Sequence, residues 1–251
     1  LGKFGIEARF VEGDEPESFD AVIDETTKFL YTEIVGNPSG SIADVSVLAS
    51  VAHSHDIPLV IDATFATPYL CRPIDFGADI VLHSATKFIG GHGTTIGGII
   101  VDSGKFNWAK DKDRQPALNK PDPSYHGMVW TDFAEAVKMP IAYIVRARFV
   151  GLRDLGACLP PQSAFQIIQG LETVSLRMVK HCENAAKVAE FLSSHNKVER
   201  VIYAGLDEDE AGRRAGKYLN GGFGALCGFE LKGGKASGQK FIVNLNMVFQ
   251  A

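Results

Sequence analysis

Ile57-Pro58-Leu59-Val60-Ile61-Asp62 is the stretch on which the fold turns. Its apolar residues run on without alternating, as in a strand covered by helices on both faces, and the run stops at a carboxylate. Its neighbours in sequence repeat the theme. Residues 29–35 read as a strand that breaks at the turn cluster Gly36-Asn37-Pro38-Ser39-Gly40. Between the two, Val45, Leu48, Ala49 and Ala52 fall on one face of a helix ending near His55-Asp56, with Ser41-Ile42-Ala43-Asp44 read as a capping box at its start. Downstream, Asp79-Ile80-Val81-Leu82 and residues 95–101 form two further apolar runs, separated by polar and glycine-rich turns. Strands alternating with helices predict an α/β fold with a mostly parallel sheet flanked by helices, whose function gathers at strand C-termini.

Beyond this unit the periods change. Residues 103–127 follow neither a helical nor a strand period and carry Lys110-Asp111-Lys112-Asp113-Arg114 and Pro121-Asp122-Pro123, which predicts a long solvated loop or insertion. Residues 163–195 contain no proline and place Phe165, Ile168, Val179, Ala186 and Leu192 at helical spacings, so one long helix or a helix pair is expected. Residues 198–203 and 224–231 then read as strands of a smaller following unit.

Composition bounds the partners. The 251 residues are 45% hydrophobic and 22% charged, with 26 Gly and 11 Pro, which is globular usage. With 25 Lys+Arg against 30 Asp+Glu and no basic tract, the counterion release that drives nucleic-acid binding has little to act through, so no nucleic-acid partner is expected. Apolar runs are far shorter than the roughly 20 residues of a membrane-spanning helix, and the reading is a soluble protein. Cys71, Cys158, Cys182 and Cys227 are widely spaced without a CxxC pair, so neither a zinc site nor a disulfide scaffold is expected, and reduced thiols of the cytosol are. The chain opens on Leu1 and stops inside an apolar pattern at Gln250-Ala251, as a piece of a longer protein would.

The chemistry-bearing residues gather around two strand ends. Asp62 has a bland reading, a turn or cap carboxylate, and a functional one that needs a cationic partner. Lys87 supplies that partner after the next apolar strand and a Ser-Ala-Thr turn, where desolvation would make its free amine a nucleophile and base. Ser84 and Thr86, alternate residues of that turn, can aim both hydroxyls and nearby N–H groups at a phosphate. Gly90, Gly91 and Gly93 permit close backbone approach, but neither a phosphate-loop ending nor a dinucleotide fingerprint is present. His53 and His55, two apart on a helix, face different ways and do not read as a metal pair, while His83 and His92 read as packing residues. An amine, a strand-end carboxylate and paired hydroxyls are the groups that pyridoxal phosphate requires.

The run His83-Ser84-Ala85-Thr86-Lys87-Phe88-Ile89-Gly90-Gly91-His92-Gly93 resembles the cofactor-attachment motif of the Cys/Met-metabolism enzymes, the transsulfuration family of fold type I pyridoxal-phosphate proteins. Gly36-Asn37-Pro38-Ser39-Gly40, the block from Asp62 to Leu70 and Gln169-Gly170-Leu171-Glu172-Thr173 match further family blocks in order. The resemblance implies that Lys87 bonds the cofactor, Asp62 pairs with its pyridine nitrogen, Ser84 and Thr86 hold its phosphate, Asn37 contacts its phenolic oxygen or the substrate carboxylate, and Thr64 lies near the ring. It implies that residues 1–160 are part of a large cofactor-binding domain and that residues 161–251 are a linking helix and an incomplete C-terminal domain. Ala63 departs from the family's usual Asn. The family's cofactor-stacking aromatic ring and its Tyr and Arg for a neighbouring subunit's phosphate would precede Leu1, and its carboxylate-binding Arg would lie beyond Ala251.

Gly93-Thr94-Thr95-Ile96-Gly97-Gly98, Asp102-Ser103-Gly104-Lys105-Phe106 and the insertion from Pro121 to Gly127 are most similar to the branch that acts on O-acetylhomoserine. That branch implies replacement of acetate at Cγ by sulfide or a small thiol, giving homocysteine or methionine, in a cytoplasmic homotetramer. Lys87 would remove the α-proton and shuttle it onward, while Asp62 keeps the ring cationic. The rival readings are a cystathionine γ-synthase or γ-lyase, and a non-catalytic fragment of such an enzyme.

Overall fold

In the computed structural model, which describes residues 1–11, 15–206 and 210–247, β1 (Leu30–Glu33), β2 (Leu59–Asp62) and β3 (Ile80–Ser84) lie side by side and parallel. β4 (Gly98–Asp102) closes one edge antiparallel to β3. The mostly parallel sheet expected from the sequence is therefore present. Its strands are shorter than the apolar runs: residues 95–97 fall outside β4 because Gly97 gives its N–H to the Thr86 hydroxyl and receives the Thr86 N–H at its carbonyl.

Both faces of β2 and β3 are covered, which explains the unbroken hydrophobicity of residues 57–61, whereas Ile99, Ile100 and Val101 of β4 are exposed. After the short α1 (Pro16–Asp20) comes α2 (Val45–Ser54), which buries Val45, Leu48, Ala49 and Ala52, the face read from the sequence. This helix packs in one cluster with Leu30, Leu59, Ile61 and Val81, and α3 (Thr67–Leu70) adds Leu70. Each such fully buried aliphatic side chain stabilises the fold by about 1.5–3 kcal/mol relative to an exposed one. The cap differs from expectation. Asp44, not Ser41, is the N-cap and accepts the Val47 N–H at 3.4 Å, while the Ser41 hydroxyl pairs with that of Ser39 at 2.8 Å.

The opposite face, carrying Val60, Ile80 and Leu82, is covered by the segment expected to be a solvated insertion. Residues 103–127 contain α4 (Pro116–Asn119) and bury Trp108 and Leu118. With α5 (Trp130–Ala136) and α6 (Ala142–Arg146) they form an aromatic layer in which Trp108 stacks on Tyr143 at 5.1 Å. A few large rings anchor the segment at irregular spacing, so no period betrays its burial.

The long apolar stretch is a helix pair, α7 (Pro161–Glu172) and α8 (Val174–Ser193), broken at Thr173. Phe165, Ile168 and Val179 point outward, and the inward stripe is Ile167, Gly170, Met178, Cys182, Ala185 and Ala189. Small residues let these helices pack closely, Gly170 on Gly90 and Ala185 and Ala189 with Tyr203, a contact that hydrophobicity alone underweights. β5 (Val198–Ile202) and β6 (Gly228–Leu231) pair antiparallel as a separate small sheet, accompanied by α9 (Glu210–Tyr218) and α10 (Gly234–Val243).

Opposite the carboxyl rim, where β4 ends beside Ile80 at the start of β3, the Asp102 Oδ2 is shielded from solvent without a hydrogen-bond partner among the described residues. Burial pushes its pKa above the ordinary carboxylate value against the Gly104 N–H bond to Oδ1, and the charge of Asp79 adds to the rise. A carboxylate raised in the folded state weakens folding above its folded pKa, and the penalty fades as pH falls through that value toward the unfolded one. Asp102→Asn is therefore expected to raise the thermal midpoint at pH 7 by about 2 °C. Its advantage over the parent should shrink as melts are repeated down to about pH 4; a constant difference across that range would refute the assignment.

Candidate active site

Parallel register brings the ends of β1, β2 and β3 to one rim. Glu33 pairs with Asp62, and Asp62 with Leu82, so the side chains of Glu33, Asp62 and Ser84 share one face at the carboxyl edge. Asp62 is half-buried. Its Oδ1 accepts the Thr64 N–H at 2.8 Å, which is the turn role of the bland reading, and its Oδ2 has a long contact of 3.4 Å from the Tyr31 hydroxyl. Burial, then the charges of Asp62 and Glu33, push the Tyr31 phenol up to about 12.

Beneath this rim the two strand ends are tied together. The buried Thr64 hydroxyl accepts the Ser84 N–H at 2.8 Å, and the Ala63 N–H bonds the Leu82 carbonyl at 2.9 Å. His83 turns to the other face, buried, with Nδ1 3.2 Å from the Ala63 carbonyl; burial lowers its pKa, so a neutral ring donating from Nδ1 fits this place. It is a packing residue. His53 and His55 diverge to separate carboxylates, Asp79 and Asp20.

The turn after β3 presents Lys87. Its N–H bonds the Ser84 carbonyl at 3.1 Å, and its side chain is exposed, with no ion pair or hydrogen bond among the described residues. The expected desolvation of the amine is thus not present within this chain: α7 covers Ala85, Ile89 and Gly90 of the turn, but the Lys87 side chain itself stays exposed. The Ser84 hydroxyl likewise has no partner among the described residues. The Thr86 hydroxyl is placed differently: it lies between the Gly97 carbonyl, 3.3 Å, and the Gly97 N–H, 3.0 Å, and must turn from them to meet a phosphate. Across the rim, Asn37 is exposed, its N–H held by Glu33 Oε2 at 2.8 Å and its side-chain amide unbonded among the described residues.

Pyridoxal phosphate needs an amine, an anion for a ring N–H, and donors for a phosphate. Lys87 offers an unpaired amine, Asp62 a carboxylate with one oxygen only weakly engaged, and Ser84 an unpaired hydroxyl, so the residues present fit the group.

A model of the Cys/Met metabolism PLP-dependent enzymes matches residues 1–251. The chain belongs to that family. Homocysteine synthase of Schizosaccharomyces pombe is 48% identical over 252 residues, covering 100% of this chain and 58% of that protein. O-acetyl-L-homoserine sulfhydrylase of Leptospira meyeri is 47% identical over 250 residues, covering 98% of this chain and 56% of that one. The crystal structure of a candidate O-acetylhomoserine (thiol)-lyase from Campylobacter jejuni superposes with a TM-score of 0.91 at 36% identity, covering 100% of this chain and 61% of that one. A lysine of that structure carries the cofactor covalently, as N'-pyridoxyl-lysine-5'-monophosphate. The chain thus spans somewhat more than half the length of the relatives it matches.

Two members of the rim escape a sequence reading. Glu33 and Tyr31 sit inside an apolar run and show themselves only through register, which sets Glu33 beside Asp62 and Tyr31 on the same face. A third group, Arg177 on α8, is distant in sequence and reaches the Lys87 turn from the helix pair.

Proposed function

We propose that the protein binds pyridoxal phosphate at this rim and catalyses γ-replacement on O-acetyl-L-homoserine. Sulfide or a small thiol takes the place of the acetoxy group at Cγ, giving homocysteine or methionine plus acetate. The observation that carries the reading is the placement of Asp62 and Ser84 at the ends of the paired strands β2 and β3, with Lys87 exposed in the turn that follows Ser84. Its support from outside the chain is the identity of nearly half with a homocysteine synthase and an O-acetyl-L-homoserine sulfhydrylase.

When bound, the cofactor supplies an electron sink for the carbon next to the amino group of the substrate. Lys87 holds the cofactor between turnovers, and its amine takes the proton from Cα and delivers it onward as acetate leaves. Asp62 keeps a proton on the ring nitrogen by setting its negative charge against it, and its Thr64 N–H bond fixes the carboxylate in place. The Ser84 hydroxyl, with that of Thr86 released from Gly97, holds the phosphate. Asn37 offers its amide to the cofactor's phenolic oxygen or to the substrate carboxylate, with Glu33 fixing its backbone. Thr64 acts as the brace between β2 and β3 and would lie near the ring.

The same reading divides the chain into a cofactor-binding part, residues 1–160, and a linking helix pair with the start of a smaller domain, residues 161–251. It makes the protein a cytoplasmic homotetramer in methionine biosynthesis, with small molecules as its reactants. No described helix is long and apolar enough to cross a membrane.

Supplied with pyridoxal phosphate and O-acetylhomoserine, the protein is expected to form homocysteine with sulfide at least ~10-fold faster than it forms cystathionine with cysteine, a preference of about 1.4 kcal/mol in the transition state. Mass spectrometry of the products decides it. A preference for cysteine would move the assignment to cystathionine γ-synthase, and cofactor uptake without either product would favour a non-catalytic chain.

A further inference from the structure

The guanidinium of Arg177, in the first turn of α8, is spent almost wholly on backbone carbonyls around the Lys87 turn. Nη1 donates to the Phe88 carbonyl at 2.7 Å, and Nη2 donates to Ile89 at 3.1 Å and to Gly170 at 2.7 Å. Nε donates to the Thr173 hydroxyl at 3.1 Å, and that hydroxyl donates to the Gly170 carbonyl at 3.3 Å. One planar fork therefore joins the two residues after Lys87 to the break between α7 and α8, a geometry that a point-charge ammonium cannot reproduce.

Two glycines make the joint possible. A Cβ on Gly170 would lie 2.1 Å from the Gly90 carbonyl oxygen, so the C-terminal end of α7 sits directly on the Lys87 turn. A Cβ on Gly91, whose φ is +73°, would lie 2.3 Å from the Arg177 guanidinium. One helical turn on from Arg177, His181 packs edge-on against Phe88 at 5.3 Å, and Phe88 packs against Phe65 at 6.0 Å. Within the turn, the Gly90 N–H bonds the Ala85 carbonyl at 2.8 Å and the Gly91 N–H bonds the Lys87 carbonyl at 2.7 Å. The loop that presents the amine is thus closed upon itself and clamped from one side by the helix pair.

We infer that Arg177 is a positioning residue for Lys87: its fork fixes the turn that carries the amine and couples that turn to the α7–α8 junction. The inference rests on the proposed cofactor role of Lys87. Without the fork, the carbonyls of Phe88, Ile89 and Gly170 lose their charged donor, and the turn gains freedom where the proton-moving amine needs a fixed approach.

Arg177→Lys keeps the charge and removes the fork, and Thr173→Val removes one anchor at nearly constant volume. In the cofactor-free protein, hydrogen exchange of peptides spanning residues 85–91 is expected to speed up by at least ~10-fold in Arg177→Lys, by less in Thr173→Val, and not in β1. In the protein loaded with pyridoxal phosphate, the midpoint of the pH titration of the visible band should move by about 0.5 unit or more, and the induced circular dichroism of that band should fall. Wild-type exchange in 85–91 with an unmoved midpoint, whatever the loss of melting temperature, would reduce Arg177 to a packing residue. Should Arg177→Lys fail to fold, the same two readouts on Thr173→Val decide. A parent protein that forms no visible band overturns the cofactor reading instead, and the exchange experiment still reports whether Arg177 holds the turn.

Discussion

Lys87→Ala is expected to reduce turnover of O-acetylhomoserine by about 10⁴-fold or more, since in the proposed reaction it removes the covalent anchor and a proton carrier that alone would be worth about 10²–10⁴. The visible band of the loaded protein should vanish, and borohydride reduction should leave no cofactor mass on the peptide containing residue 87. Stability should hardly change. The side chain is exposed and makes no ion pair or hydrogen bond among the described residues, so its removal falls within about 0.5 kcal/mol. That separation gives the experiment its force: the loss is in the chemistry of one amine and not in the fold around it. Turnover within about tenfold of the parent would end the assignment, because no other residue of the β3 turn offers an amine.

The centre of the sheet is legible in the sequence because β2 and β3 are buried on both faces, and such burial leaves an unbroken apolar run that ends abruptly where the backbone reaches solvent. Asp62 marks such an end, and the turn after Ser84 another, so the sequence already brings the candidate residues to the carboxyl rim. The buried face of α2 followed from its period in the same way. What failed to show has a common cause. The aromatic layer built by Trp108, Leu118 and Trp130 is held by large side chains at irregular intervals, and α7 and α8 press on the core through Gly170, Cys182, Ala185 and Ala189. In both cases contact depends on shape more than on hydrophobic periodicity. The start of α2 is ambiguous in the sequence because Ser41 and Asp44 are both good caps, and it is Asp44 that accepts the Val47 N–H.

The site divides along the same line. Asp62 and Ser84 are side chains presented directly by strand ends and Lys87 by the turn that follows, so type and position alone point to them. Thr86 was read as a second free hydroxyl, yet its neighbour in space is Gly97, across a loop whose closure the sequence does not specify. Glu33 and Arg177 work through backbone groups, on Asn37 and on the Phe88 and Ile89 carbonyls. A residue whose partner is a backbone atom leaves no complementary side chain to be found by pattern.

Asp62→Asn isolates the charge at the other end of the cofactor from the fold that holds it. The amide oxygen of Asn can still accept the Thr64 N–H, so the turn after β2 should keep its shape and the melting temperature should stay within a few degrees of the parent. What disappears is the negative charge that would oppose the ring N–H, an electrostatic contribution worth on the order of 10²–10³ in kcat when removed from a preorganised site. The effect should appear in kcat with little change in KM, because Asp62 acts on the developing charge and does not contact the departing acetate. A second signal comes from Tyr31. Its phenol is held up to about 12 by burial first and by the charges of Asp62 and Glu33 next, so neutralising Asp62 should lower that pKa, measurable by ultraviolet titration without any cofactor. If kcat stayed within about twofold of the parent while Tyr31 titrated lower, the charge would have been removed without consequence for the reaction, and Asp62 would be a turn carboxylate after all.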